Sequence, residues 1–148
     1  MKITAVLASV ALALSAGAAV ASDDPAMADI PNWARPYHNS TDVFIDASDS
    51  GAVWVVGRSV TRVNADTVRA WTRLEYAQPT NIEGASVSSM TGYYEFDCRG
   101  QRSRMLAISA YPRHNLQGTP DSEEGSAEWS FVRPNTIMSS VMNAVCQV

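Results

Sequence analysis

From Asp42 to Val132 the chain sets short apolar runs between polar turns, mostly with a period of two. Asp42-Val43-Phe44-Ile45-Asp46 and Val53-Trp54-Val55-Val56 read as the first two strands, joined through Asp46-Ala47-Ser48-Asp49-Ser50-Gly51. From Val68 to Tyr76 the alternation is regular. Val68, Ala70, Thr72, Leu74 and Tyr76 point one way, and Arg69, Trp71, Arg73 and Glu75 the other, as in a half-buried antiparallel strand. A polar loop through Pro79 and Gly84 should follow. Ser86 to Cys98 then forms a strand with Tyr94, Phe96 and Cys98 on one face and Tyr93, Glu95 and Asp97 on the other. Arg99-Gly100-Gln101 turns it into a return strand from Arg104 to Tyr111. Pro112 to Ser126, acidic and rich in Gly, Pro and Ser, predicts a long exposed loop, and Glu128 to Val132 alternates once more.

The period then changes. Ile137, Met138, Val141, Met142 and Val145 fall at helical spacing, with Ser139, Ser140 and Asn143 opposite and Asn135 or Thr136 placed to cap the start. Before Asp42, the segment 22–41 holds three prolines and little periodicity, so an extended N-terminal arm is expected. The pattern predicts one α+β domain over 42–148: an antiparallel sheet of five to six strands with a C-terminal helix.

The first 21 residues stand apart. Lys2 precedes an uncharged apolar run from Ile3 to Leu14, and Ala19-Val20-Ala21 ends a stretch of small residues, the three regions of a cleavable export signal. The run is too short and too dilute in Ala and Gly for a membrane span, which needs about 20 apolar residues. No cysteine lies at the junction, so neither a lipid anchor nor a membrane span is expected. The exported protein should be periplasmic or secreted.

Export changes the reading of Cys98 and Cys146, the only cysteines. In an oxidising compartment they are expected to pair, tying the last turn of the helix to the inward face of the Tyr94-Phe96-Cys98 strand. The alternatives are an intermolecular bridge, a metal site or a reactive thiol. With His38 and His114 the only histidines, no zinc spacing is matched.

Beyond Ala21 every basic residue is Arg, ten of them against fifteen Asp and Glu, giving a net charge of about −5. Nucleic acid is therefore not an expected partner. The missing lysines exclude a Schiff-base lysine, a Ser-Lys dyad and a phosphate-loop lysine.

Other candidate chemistry is thin. Asp46 to Gly51 has the opening of an EF-hand loop, but its twelfth position is Gly57 instead of Glu, so a turn is expected. Ser59, in Gly57-Arg58-Ser59-Val60-Thr61, lacks the second glycine of a nucleophile elbow. Glu75, Glu95 and Asp97 are expected to be outward-facing, solvated carboxylates rather than a glycosidase pair. No catalytic residue, metal or cofactor is assigned. The candidate binding group is Arg69, Trp71 and Arg73, an indole between two guanidiniums on the polar side of a strand, because Trp and Arg dominate binding hot spots. The competing and preferred expectation is that a bent sheet or the N-terminal arm buries Trp71.

The order of motifs in the second half resembles the surface-adhesin protein E family of bacterial envelope proteins. The resemblance rests on Val68-Arg69-Ala70-Trp71, Tyr93-Tyr94-Glu95-Phe96-Asp97-Cys98 followed by Arg102, a strand ending at Tyr111, then Trp129 to Thr136 and a helix closing in Val145-Cys146. It covers roughly Val53 to Cys146. It implies a small antiparallel sheet with a helix tethered by a disulfide, and a non-enzymatic adhesin that binds host extracellular-matrix or serum proteins. The alternative is a periplasmic structural or accessory protein with no host ligand. Familiar members are lipid-anchored, whereas no junction cysteine occurs here. Gly57-Arg58 stands where an Asp-containing turn is usual, and 22–52 has no assigned counterpart.

Overall fold

The structure is a computed structural model that describes residues 27–147; the expected signal peptide, Met1 to Ala21, lies outside the described residues. Eight strands form one antiparallel sheet: β1 (Asp42–Ala47), β2 (Gly51–Val56), β3 (Thr61–Arg62), β4 (Thr67–Ile82), β5 (Ala85–Asp97), β6 (Arg102–Tyr111), β7 (Asp121–Glu124) and β8 (Ser130–Phe131). Six of them follow the order β1-β2-β4-β5-β6-β7, while β3 pairs with β4 and β8 with β6. The one α-helix among the described residues, α1 (Ile137–Cys146), follows β8.

Each face of the sheet has its own core. Val53 and Val55 of β2, Val68 and Ala70 of β4 and Phe96 of β5 pack against Val141, Met142 and Val145 of α1. The residues between them in β2, Ala52 and Trp54, face the other way and pack with Ile30 and Ala34. β2 is thus buried on both sides, which explains its near-continuous apolar run.

The helix begins where the capping residues predict. Thr136 accepts a hydrogen bond from the Ser139 amide at 3.2 Å, and its own amide donates to the Ser139 hydroxyl at 3.0 Å, a reciprocal capping box. At the other end Cys146 is disulfide-bonded to Cys98, just past β5. A helix of ten residues is marginal alone, and this one is held by three buried side chains and a covalent tether.

The structure departs from the sequence expectation in four places. The arm 22–41, expected to be extended, is turned and packed over its described part: Pro31 and Pro36 sit in successive turns, a 3-10 turn spans Arg35–Tyr37, and Ile30 is 1% exposed against Trp54. Ile30, Trp33 and Ala34 fall at three- and four-residue spacing, so turned backbone brings all three onto β2. The expected polar loop through Pro79 and Gly84 is the far end of a long hairpin. β4 runs on to Ile82, and Glu83 and Gly84 both take positive φ (51° and 89°), the left-handed pair that a two-residue hairpin turn requires. The expected loop 112–126 contains β7, which pairs through its backbone with Ala107 to Ala110 although its side chains are exposed. Finally, the strand expected over Glu128 to Val132 pairs only at Ser130 and Phe131. Asp46 to Gly51 forms the β1–β2 turn, with the Ser48 amide donating to the Gly51 carbonyl at 2.8 Å.

Candidate binding face

The outer face of β4 meets two different environments along its length. At Arg73 it lies beneath the N-terminal segment. Arg73 is 2% exposed; its guanidinium donates to Asp42 Oδ2 at 3.0 Å, to Glu75 Oε1 at 3.0 Å and to the Tyr37 carbonyl at 2.7 Å, and lies 4.6 Å from the Trp54 ring centroid. Glu75 is fully buried and also accepts from the Asn115 amide and from His114, whose ring stacks on Tyr37 at 4.3 Å. Burial pushes the Glu75 carboxyl above its ordinary range, against the opposing pull of His114, Arg73 and the Asn115 amide. This network clamps three separated segments together and leaves Arg73 no access to a partner, so Arg73 drops out of the candidate group.

Two residues toward the start of β4 the cover ends. Trp71 is half-buried, belongs to neither core, and stacks on Tyr93 of β5 with ring centroids 4.8 Å apart and planes 17° from parallel. The expected burial by a bent sheet or by the arm therefore does not occur: the arm covers Trp54 and Arg73 instead. One register row further, Arg69, Glu95 and Arg104 stand opposite one another on β4, β5 and β6. Arg69 and Arg104 both donate to Glu95, the Arg104 contact being 2.6 Å. Burial alone would raise the Glu95 carboxyl, but the two guanidiniums hold it below the usual carboxylate range. The next row pairs Asp97 with Arg102 at 2.6 Å; that guanidinium and the Gly100 amide likewise keep Asp97 low.

Glu75 and Glu95 are thus not solvated as expected, at 0% and 3% exposure. They point to the face the alternation gives them, but cross-strand guanidiniums and the N-terminal segment take the place of water. A carboxylate fixed between two guanidiniums is a poor proton donor. Ser59, the other residue with catalytic precedent, is equally committed: its hydroxyl donates to the Val56 carbonyl at 2.6 Å and accepts from the Trp71 amide at 2.9 Å.

The band continues past the residues singled out in the sequence. Trp129 lies over the guanidiniums of Arg104 and Arg102, at 4.6 and 5.4 Å. Phe131, directly across from Arg102, is 79% exposed. Aromatic and guanidinium groups therefore alternate from Trp71 and Tyr93 through Arg69, Glu95 and Arg104 to Trp129 and Phe131. Tyr93, Arg104, Trp129 and Phe131 escape a reading of β4 alone. The signal that finds them is the register, which lines up residues from four strands.

A small antiparallel sheet closed by a disulfide-tethered C-terminal helix defines the structural class. Within it, residues 43–147 match the model of the surface-adhesin protein E family, and the chain belongs to that family. The match begins ten residues before the resemblance in the sequence did, so β1 and the β1–β2 turn belong to the shared domain. Among solved structures, Haemophilus influenzae protein E superposes with a TM-score of 0.58 at 12% identity, covering 74% of this chain and 86% of that one. A second crystal form of the same protein gives 0.61 at 11% identity, with 74% and 90% covered. Protein E from non-typeable Haemophilus influenzae gives 0.54 at 13%, with 74% and 78% covered. At such identities the likeness is one of fold. No curated protein sequence gives a significant match. Among the described residues no helix is long and apolar enough to cross a membrane.

Proposed function

We propose that this chain is an exported, non-enzymatic adhesin of the bacterial envelope, and that it binds a host extracellular-matrix or serum protein through the outer face of its sheet. The observation that carries this reading is the stacked Trp71–Tyr93 pair. Both rings are half-buried, the N-terminal segment that seals Arg73 stops short of them, and the band from Arg69 to Trp129 and Phe131 extends the pair. Such a surface offers large rigid apolar area beside charge-assisted donors, the composition of interface hot spots. Family membership supports adhesion as the purpose of that surface.

The test is binding of the mature chain, Ser22 to Val148, to immobilised purified matrix and serum proteins by surface plasmon resonance, with Trp71→Ala beside it. Because Trp71 lies outside both cores but is half-buried against Tyr93, the variant should stay folded and lose about 1–3 kcal/mol of stability while binding falls at least tenfold. Undiminished binding by a folded Trp71→Ala protein removes this face from the proposal.

A further inference from the structure

On the opposite side of the sheet, beyond the reach of α1, lies a half-open hollow of about 360 Å³. Its walls are apolar: Ile82 and Val87 from the β4–β5 hairpin, Met90 from β5, and Met105 and Ile108 from β6. Its rim carries three carboxylates, Glu83, Asp121 and Glu123, and no arginine is among its lining residues. All three acids are exposed, and none of them forms an ion pair with another of the described residues. This sets them apart from Glu75, Glu95 and Asp97, each of which holds a guanidinium.

Two of the rim acids belong to β7, which ends the sheet. β7 is four residues long, exposed throughout, and pairs on one side with β6; its other edge faces no strand among the described residues. Asp121 and Glu123 line the hollow, while Ser122, between them, turns its hydroxyl to Ser109 at 2.8 Å. A strand added to this edge would project every second side chain toward the hollow and its acidic rim.

From the unpaired carboxylates, the apolar hollow and the free edge together, we propose that the β7 edge is a docking site for an extended, cationic peptide segment of a partner protein. The segment adds to β7 as a further strand. A bulky apolar side chain enters the hollow, where two methionines can adjust to its shape, and Lys or Arg side chains beside it meet Glu83, Asp121 and Glu123. A second copy of this chain is the poorer occupant, because it would set one Asp-Ser-Glu-Glu edge against another. The site is independent of the Trp71 face, since it lies on the other side of the sheet.

The probe is a fluorescein-labelled decapeptide of alternating Lys and Leu, titrated with the mature chain in low-salt buffer and followed by anisotropy. Three comparisons accompany it: a Glu-Leu peptide of the same pattern, a Lys-Leu peptide with Pro at alternate positions, and a Glu83→Gln/Asp121→Asn/Glu123→Gln chain. These substitutions are on exposed side chains and leave the core untouched. The expected result is saturable binding of the Lys-Leu peptide, at least tenfold weaker to the neutralised chain and at least tenfold weaker for the Pro peptide. The Glu-Leu peptide should not bind, and Trp71→Ala should leave the titration unchanged. Binding insensitive to rim neutralisation, or retained by the Pro peptide, overturns the proposal. So does a dimer in sedimentation velocity that the same triple substitution strengthens, which would assign the edge to a second copy.

Discussion

Removing the tether should cost this domain more than any substitution confined to its surface. Cys98 and Cys146 are 48 positions apart and close a loop of 49 residues holding β6, β7, β8 and α1. In the chain-entropy description, a cross-link over that length removes enough freedom from the unfolded chain to stabilise the fold by about 4 kcal/mol. A paired Cys98→Ser/Cys146→Ser substitution should therefore lower the unfolding free energy by about 4 kcal/mol. For a domain of this size that corresponds to a fall of roughly 15 °C in the melting temperature. The assay is urea unfolding of the mature chain, followed by far-ultraviolet circular dichroism and tryptophan fluorescence. The denaturant slope should rise, because the uncrosslinked unfolded chain exposes more surface. Amide exchange across Ile137–Cys146 should quicken more than in β4 and β5, since α1 then keeps only non-covalent contacts, chiefly those of Val141, Met142 and Val145, to hold it. A loss below about 1 kcal/mol with an unchanged slope would refute the reasoning. It would show that the three buried side chains suffice to dock the helix.

Three other outcomes follow from the same structure. Arg73→Met should destabilise by about 3–5 kcal/mol at pH 7, because it strands the buried Asp42 and Glu75 side chains without their guanidinium; burial already raises the Glu75 carboxyl above its unfolded value, so the deficit measured in urea should narrow as pH falls from 7 toward about 4.3 and level off below that. Glu95 is held below the pKa it has in the unfolded chain, so its contribution is present above about pH 4.3 and is lost as pH falls through the lower folded value. Unfolding curves for wild type and Glu95→Gln from pH 7 to pH 2.5 should therefore converge toward acid, and parallel curves would contradict the assignment. Ile30→Ala should cost about 2–5 kcal/mol and shift tryptophan emission to the red as water reaches Trp54; a neutral substitution would mean that the N-terminal segment is not part of the core.

What could be read from the sequence followed from local periodicity. The two faces of Val68 to Tyr76, the Arg99-Gly100-Gln101 turn and the five apolar positions of α1 are set by neighbours within one element. The arm expected to be extended over 22–41 is turned and packed over its described part because its burial depends on Trp54, a partner in β2 that its own spacing does not announce. Arg73 and Trp71 occupy the same face of the same strand, two residues apart, yet one is sealed and the other only half-buried. The difference is where that segment stops, which no pattern within β4 encodes. Glu95 looked solvated because its two guanidiniums arrive from β4 and β6 through register. β7 carries no apolar residue and joins the sheet by backbone pairing alone, so no periodicity marks it.

The proposed adhesin function requires the exported chain to act outside the outer membrane, and exposure to protease on intact cells tests that central claim most directly. Bacteria producing the chain would be treated with a protease that does not cross the outer membrane, and the remaining full-length domain quantified by immunoblot beside a periplasmic control. The account predicts that the domain is degraded while the control survives. A domain that stays intact until the outer membrane is permeabilised would contradict it and assign the protein to the periplasm.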